Sequence, residues 1–567
     1  MLTIRKIKFI SVCLSLLMIG GTSINKCTDS SLILFNTKIY TLNDTYTLAE
    51  ALVIKDKKIV YVGDNEGVKE YECGDYKKID LAGSYIFPGF TDSHAHLKGI
   101  GYRENTLNLQ GINSLEETLV SVKEYSDQRG PGQWIIGRGW IEKLWPEKRF
   151  PSRKDLDTFS NDKPVLLERA DGHAVLVNSF ALRLAGIDSR TKDPHGGAIW
   201  RDENGEPTGI LVDSATSLVE KLLPIKSTEE DKRALEEGLK RSARLGWTQI
   251  QNAGGPYRDF DLLKRIKDEG NLLVRIYYAV SDGDSALKLL KEGPHFDPEE
   301  MLIARGIKLY ADGALGSRGA YLIDKYSDLD TKGLLIFRKE ETLPKLVEAL
   351  KKGIQIQTHA IGDGANKITL DWYEEAFQSV SLQERFITEP RWRVEHSQNI
   401  TKEDQLRFKK LKIIASMQPS HAIGDLHFAI DRLGLERVKN AYVWKDLIEE
   451  GVMVIGGSDA PVEIGDPLIE FYAAVTRKDI DGFYAKGWHL EQAITRYDAL
   501  KMFTLWPAFG SFQEDIKGSL EVGKLADLTV FSEDIMTIKV EDILNTENLM
   551  TIVGGRIVYK NLKKKAP

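Results

Sequence analysis

The chain has 567 residues, 42% hydrophobic and 28% charged, which is enough for two or three domains with ordinary globular cores. Its 77 Lys and Arg against 84 Asp and Glu leave a formal charge of −7, which excludes the basic field that nucleic-acid binding requires. Only Cys13, Cys27 and Cys73 are present, without a CxxC spacing, so a disulfide framework and a zinc knuckle are excluded and any metal must be held by imidazole and oxygen.

Arg5, Lys6 and Lys8 precede an apolar run over residues 9–19, too short to span a bilayer and suited to the core of a secretory signal. Gly20, Gly21, Thr22 and Ser23 offer small residues for cleavage, so residues 1–27 read as a signal peptide. The expected location is outside the bacterial cytoplasm, either periplasmic or membrane-anchored at the cell surface. Cys27 stands where a lipoprotein leader is acylated, although Asn25 and Lys26 fit that pattern poorly. A lipid anchor is the only membrane attachment expected, because no other segment is long and apolar enough to cross. Residues 31–40, 51–54, 58–62 and 77–81 are short and rich in Val, Ile and Tyr, and turn residues break them apart, which predicts a small antiparallel sheet. The end of the chain matches, with strands at 528–531 and 551–553, a Gly554-Gly555 turn and a strand at 556–559. Residues 30–87 and 515–563 are therefore expected to form one composite β-sandwich domain.

Between these ends the chain alternates apolar strands with amphipathic stretches, which predicts a parallel sheet with crossover helices. Eight strands are expected, at residues 86–90, 248–251, 273–280, 306–310, 353–358, 391–394, 413–417 and 452–455. Helical spacing marks 261–269, 343–352, 366–377 and 439–449. The fold class is thus α/β, with a (β/α)8 TIM-type barrel over residues 88–514. A doubly wound open sheet competes, but no GxGxxG follows the first strand. The stretch from Leu97 to Trp247 is longer than one crossover helix requires, so a subdomain of about 98–245 is inserted after the first strand.

The residues that carry chemistry follow the strands. The first strand leads into Asp92-Ser93-His94-Ala95-His96, and two histidines two apart on an extended chain point the same way. The fifth strand ends at Thr358-His359, the sixth at Glu395-His396 and the eighth at Gly457-Ser458-Asp459-Ala460-Pro461. In a barrel those ends converge on one mouth, where catalytic residues sit.

These motifs resemble those of the amidohydrolase superfamily. Pro88-Gly89-Phe90-Thr91-Asp92-Ser93-His94-Ala95-His96 looks like its first-strand signature, and Gly518-Ser519-Leu520-Glu521-Val522-Gly523-Lys524-Leu525-Ala526-Asp527 like its return into the β domain. Lys308-Leu309-Tyr310-Ala311-Asp312-Gly313, Thr358-His359-Ala360-Ile361-Gly362-Asp363 and Gly457-Ser458-Asp459-Ala460-Pro461-Val462 are similar to the marks of the amidohydrolase 3, YtcJ-like branch. The resemblance implies one or two divalent metal ions, with zinc the first choice. It implies His94 and His96 as ligands of the first ion, His359 and His396 of the second, and Asp459 as ligand and proton acceptor. Lys308 would be carbamylated and bridge the two. An unmodified ammonium has no lone pair to offer a cation, so the carbamate is needed for that role; the competing reading pairs Lys308 with Asp312 or another acid.

Weaker candidates surround this set. His173, in the inserted Asp171-Gly172-His173 segment, is a candidate catalytic residue reaching the substrate carbonyl; Arg318, Trp140 and His421 are candidate substrate-binding residues, and Asp92 a candidate for orienting a ligand histidine. The expected activity is metal-dependent hydrolysis of a C–N bond in an amide, formamide, carbamate or cyclic amide by metal-activated water. Ester, lactone or phosphoester hydrolysis and a non-catalytic exported binding protein are the alternatives. The expected partner is a small-molecule substrate and not nucleic acid; the oligomeric state, homodimer included, is open.

Overall fold

The computed structural model describes residues 31–142, 145–147, 149–160, 162–169, 174–194, 197–224, 226–484 and 486–561. The readings made on residues 1–27 and on His173 lie outside them. Among the described residues no helix is long and apolar enough to cross a membrane, and Cys73 is disulfide-bonded.

The central sheet has nine strands: the short His295–Phe296 pairs antiparallel with one of the others at the side, and the remaining eight form a path whose spatial order follows the chain. They are Phe90–Ala95, Trp247–Ala253, Arg275–Ser281, Leu302–Tyr310, Gln355–Ala360, Arg393–His396, Ile414–Met417 and Val454–Gly456. Every neighbouring pair along this path is parallel. The ring closes where the eighth strand's exit meets the first strand: Asp459 N donates to His94 O at 2.6 Å and His96 N to Ala460 O at 2.8 Å. This is the (β/α)8 barrel expected from the alternation.

The helix Leu97–Asn105 follows directly from His96 and packs on Thr228–Leu245. The second helix starts at a capping box of Ser227 and Glu230 and buries Leu235, Leu239 and Ser242 at helical spacing. The two helices approach so closely that a Cβ on Gly101 would lie 1.5 Å from Ala234 O, and one on Gly238 2.4 Å from Leu97 O. Glycine at both positions thereby fixes where the chain leaves the first strand.

Several details depart from the sequence expectation, and the terminal strands are not all antiparallel: Ser31–Phe35 pairs in parallel with Tyr76–Asp80 and Lys38–Tyr40 in parallel with Tyr85–Pro88. Residues 86–90 do not form the first barrel strand. Tyr85–Pro88 joins the terminal sheet, pairing with Lys38–Tyr40 and Leu528–Phe531, and the barrel strand begins at Phe90. The run from Ile86 to Phe90 is buried throughout, so its pattern does not reveal the change of sheet. Likewise residues 31–40 divide into Ser31–Phe35 and Lys38–Tyr40, in different sheets, at Asn36 with φ 59°.

The terminal strands make a four-stranded and a six-stranded sheet, the latter drawing Leu528–Phe531, Asn548–Val553 and Arg556–Lys560 from the end of the chain. Leu34, Leu52 and Ile54 of one sheet and Ile86, Leu528 and Ile552 of the other share a core, as in a sandwich. A separate six-stranded sheet lies between the first and second barrel strands in sequence. It runs from Leu107–Asn108 to Pro207–Asp213 and includes Val165–Arg169 and Ala174–Val177 as an antiparallel pair.

One buried ion pair fastens barrel to sandwich. Arg275, 1% exposed at the start of the third barrel strand, donates from Nε and Nη2 to Asp527 Oδ2 and Oδ1 at 2.7 and 2.9 Å. Arg275→Met strands the Asp527 carboxylate in the interior and is expected to cost about 3–5 kcal/mol in denaturant unfolding. An unchanged unfolding midpoint would show that the pair does not hold the two parts together.

Candidate active site

The strand ends bring the candidate ligands to one cavity. His94 is fully buried, with Nε2 3.5 Å from Asp459 Oδ1, and His96 Nε2 is 3.1 Å from the same oxygen. The rings of His359 and His396 have centroids 4.4 Å apart, and those of His94 and His396 4.8 Å apart. Lys308 Nζ, on the fourth strand, is 3.2 Å from His94 Nε2. One donor atom each from His94, His396 and Asp459 fall within 4.8 Å of one another.

Two candidate ligand residues lie off ordinary strand geometry. Consecutive strand residues face opposite sides, yet Glu395 and His396 both face the site. The left-handed backbone at His396 (φ 70°) and Ser397 (φ 45°) turns the chain there, and Asp459 is left-handed as well (φ 56°). Non-glycine residues hold such angles only where their surroundings over-determine them. Around Asp459 the determinant is Asp92. Its Oδ1 accepts from Ser458 N at 2.8 Å and His94 N at 3.2 Å, and its Oδ2 from Ser458 Oγ at 2.6 Å. Asp92 therefore orients the two ligand-bearing backbones and not an imidazole, which corrects the role expected for it.

The residues that orient the imidazoles are Glu395 and Gln418, neither singled out from sequence. Glu395 Oε2 is 2.5 Å from His94 Nδ1, and Gln418 Oε1 is 2.9 Å from His396 Nδ1. Both partners accept, so each ring carries its proton on Nδ1 and turns the Nε2 lone pair to the cavity. The only hint in the sequence is a carboxylate next to a strand-end histidine.

Burial dominates the electrostatics. It holds His94 down to about 4 and His359 down to about 3, with Lys308 nearby adding to both, and pushes His396 well below its ordinary value. These imidazoles are neutral, as ligation requires. Burial works to raise the Asp459 carboxyl, but the charge that His94 carries when protonated and the contact of His96 Nε2 on Oδ1 hold it well below the ordinary range. Burial lowers the Lys308 ammonium to about 8. Asp312 is not its partner: that carboxylate accepts from the amides of Ile361, Gly362 and Tyr321.

The donor set fits a metal ion on its own geometry. His359 Nε2, Asp459 Oδ1 and His421 Nε2 are buried without a hydrogen-bond partner among the described residues. Orphaned polar atoms are costly; Asp459 belongs to the group of three that could hold an ion, while His359 Nε2 lies 3.5 Å from Asp312 Oδ1. His421, on the helix Pro419–Asp425 after the seventh strand, places Nε2 3.5 Å from Asp459 Oδ2 and 3.7 Å from Glu463 Oε1.

Two candidate substrate-binding residues are placed otherwise. Arg318 is held by Asp328, donating from Nε and Nη2 at 3.1 and 2.8 Å. Trp140 is 1% exposed in the core of the inserted sheet, and its Nε1 donates to Leu167 O at 2.8 Å.

A (β/α)8 barrel with imidazoles and a carboxylate gathered at its strand ends is the build of a metal-dependent hydrolase. Residues 77–559 match the amidohydrolase family, and the chain belongs to it. It is 33% identical over 539 residues to the putative amidohydrolase YtcJ of Bacillus subtilis (strain 168), covering 92% of this chain and 98% of the relative. It is 27% identical over 545 residues to the N-substituted formamide deformylase of Arthrobacter pascens, covering 93% and 98%. Among solved structures, an uncharacterized metal-dependent hydrolase from Pyrococcus furiosus is similar with a TM-score of 0.70 at 28% identity, over 89% of this chain and 100% of that one.

Glu395→Gln keeps the size of the side chain and removes the charge that fixes the His94 tautomer. It is expected to weaken metal affinity about 10–100-fold in a chelator competition, with the fold unchanged by circular dichroism. Wild-type affinity in that variant would remove Glu395 from the site.

Proposed function

We propose that this metal-dependent hydrolase cleaves a carbon–nitrogen bond in an amide, formamide, carbamate or cyclic amide of a small-molecule substrate. The observation that carries the reading is the convergence of His94, His96, His359, His396 and Asp459 on one cavity at the barrel mouth. A relative along 93% of this chain is named for removing formyl groups from N-substituted formamides, which supports the choice of bond.

In this reading His94, His96 and Asp459 would hold one divalent ion and His359 and His396 a second, with a carbamylated Lys308 as a further oxygen ligand. Zinc suits a site rich in imidazole. Such an ion lowers the pKa of its water to about 7 and polarises the scissile carbonyl. Asp459, ionised because its carboxyl is held low, would be placed to accept the proton of the attacking water and to pass it to the leaving nitrogen. His421 Nε2 faces the same cavity and holds the substrate's polar end. His173 stays in the proposal as a second group for the substrate carbonyl.

Metal-loaded protein is expected to hold about two equivalents per chain and to lose amide or formamide hydrolysis on chelation. A folded protein that takes up no metal would overturn the reading and favour a binding role. Turnover of esters, lactones or phosphoesters without any amide would move the bond class. Asp459→Asn is expected to keep the fold and lower kcat about 10²–10⁴-fold; near-normal rates would exclude Asp459 as the base.

We also propose export, carried by the basic, apolar and small pattern of residues 5–23. Terminal sequencing of the mature protein is expected to begin after that pattern or at an acylated Cys27, and a retained Met1 would overturn it.

A further inference from the structure

We propose that Tyr310 is the specificity wall of this site, and that the substrate presents to it an uncharged substituent bearing an aromatic ring. The proposal rests on the metal-centre reading above and adds the class of substrate.

Lys308 and Tyr310 are two apart on the fourth strand and face the same side. Lys308 is 1% exposed beneath the mouth, while Tyr310 at the strand's end is 41% exposed. The Tyr310 ring centroid is 5.2 Å from Lys308 Nζ and 5.6 Å from the His359 ring, at an interplanar angle of 40°. One part of the ring thus stands against the ligand set and the rest is open, as an aromatic that receives a ligand's ring must be.

Two exposed apolar residues are tied by their backbones to the fourth and eighth strand ends. Ile336 donates its amide to Ala311 O at 2.7 Å, beside Tyr310, and is 50% exposed. On the eighth-strand side Val462 donates its amide to Asp459 O at 2.9 Å and is 64% exposed.

The charges beside the mouth argue against an anionic substituent. Arg318 is engaged by Asp328, and Arg103 by the carbonyls of Pro461, Glu463 and Ile464. Asp459 and Glu463 face the cavity, each within 3.7 Å of His421 Nε2. A carboxylated substrate would meet two acids and neither of these arginines.

Hydroxamates test this without assuming the scissile bond, because they bind a metal centre whatever substrate it turns over. Calorimetry on metal-loaded protein would compare acetohydroxamate, phenylacetohydroxamate and its para-carboxylated analogue. Phenylacetohydroxamate is expected to bind about tenfold tighter than acetohydroxamate, and the para-carboxylate to lose that gain. Tyr310→Ala should abolish the phenyl preference while leaving acetohydroxamate affinity and metal content unchanged; Tyr310→Phe should retain it. Equal binding of the phenyl and methyl compounds, or a preference that survives Tyr310→Ala, would overturn the wall alone. Failure of every hydroxamate to bind metal-loaded protein would overturn the metal-centre reading and this proposal with it.

Discussion

The barrel closes through the same few atoms that build its active site. The first and eighth strands meet where Asp459 N bonds His94 O and His96 N bonds Ala460 O, so each closing bond joins a ligand residue or its neighbour to another. Asp92 reinforces this seam by accepting from Ser458 and from the His94 amide. The approach is tight enough that a Cβ on Gly457 would lie 2.5 Å from His94 N. Any change that loosens the seam separates Asp459 from His94 and His96. Conversely, an ion bound at those side chains would strengthen barrel closure, because binding to the folded state alone stabilises it.

Beneath the seam the barrel is filled with polar side chains, which is costly unless every group is paired. Gln251 Oε1 accepts from Arg393 Nη1 at 2.6 Å, Arg393 Nη2 donates to Gly510 O, and Lys517 Nζ donates to Gln249 Oε1 at 2.7 Å. The Arg393 guanidinium, two residues before Glu395 on the sixth strand, helps to hold that carboxyl low, with the His94 ring contributing more. An ionised Glu395 then fixes the His94 tautomer. The polar floor therefore reaches the ligands through one carboxylate, and an all-aliphatic barrel core would leave the His94 ring without its orienting partner.

The barrel was legible because its strands are apolar runs separated by helical spacing, and the candidate ligands because histidines at strand ends are conspicuous. Strand limits were less legible. Residues 353–358 and 452–455 become Gln355–Ala360 and Val454–Gly456, shifts that carry His359 into its strand. Hydrophobic runs do not state where a ladder stops, and the change of sheet near Gly89 left no break in burial. Glu395, Gln418 and the seam role of Asp92 were illegible for a different reason: each is defined by a partner far away in sequence, and no local pattern reports the distance. Arg318 and Trp140 show the converse, since a suggestive residue type beside a motif was already committed to Asp328 and to the Leu167 carbonyl.

Lys308 remains the member of the set whose charge decides the rest. As an ammonium among His94, His359 and His396, it depresses the pKa of all three and repels the cation they are placed to hold. Burial favours its neutral amine, while Glu395 and Asp459 pull the other way. The neutral amine is also the form that reacts with carbon dioxide. In the proposed carbamate, a repelling cation becomes an oxygen-bearing anion at the same point. The burial that would make an unpaired lysine expensive then favours the modification, because a bound ion neutralises the new charge. Asp312 instead accepts from the amides of Ile361 and Gly362, so among the described residues it does not account for Lys308.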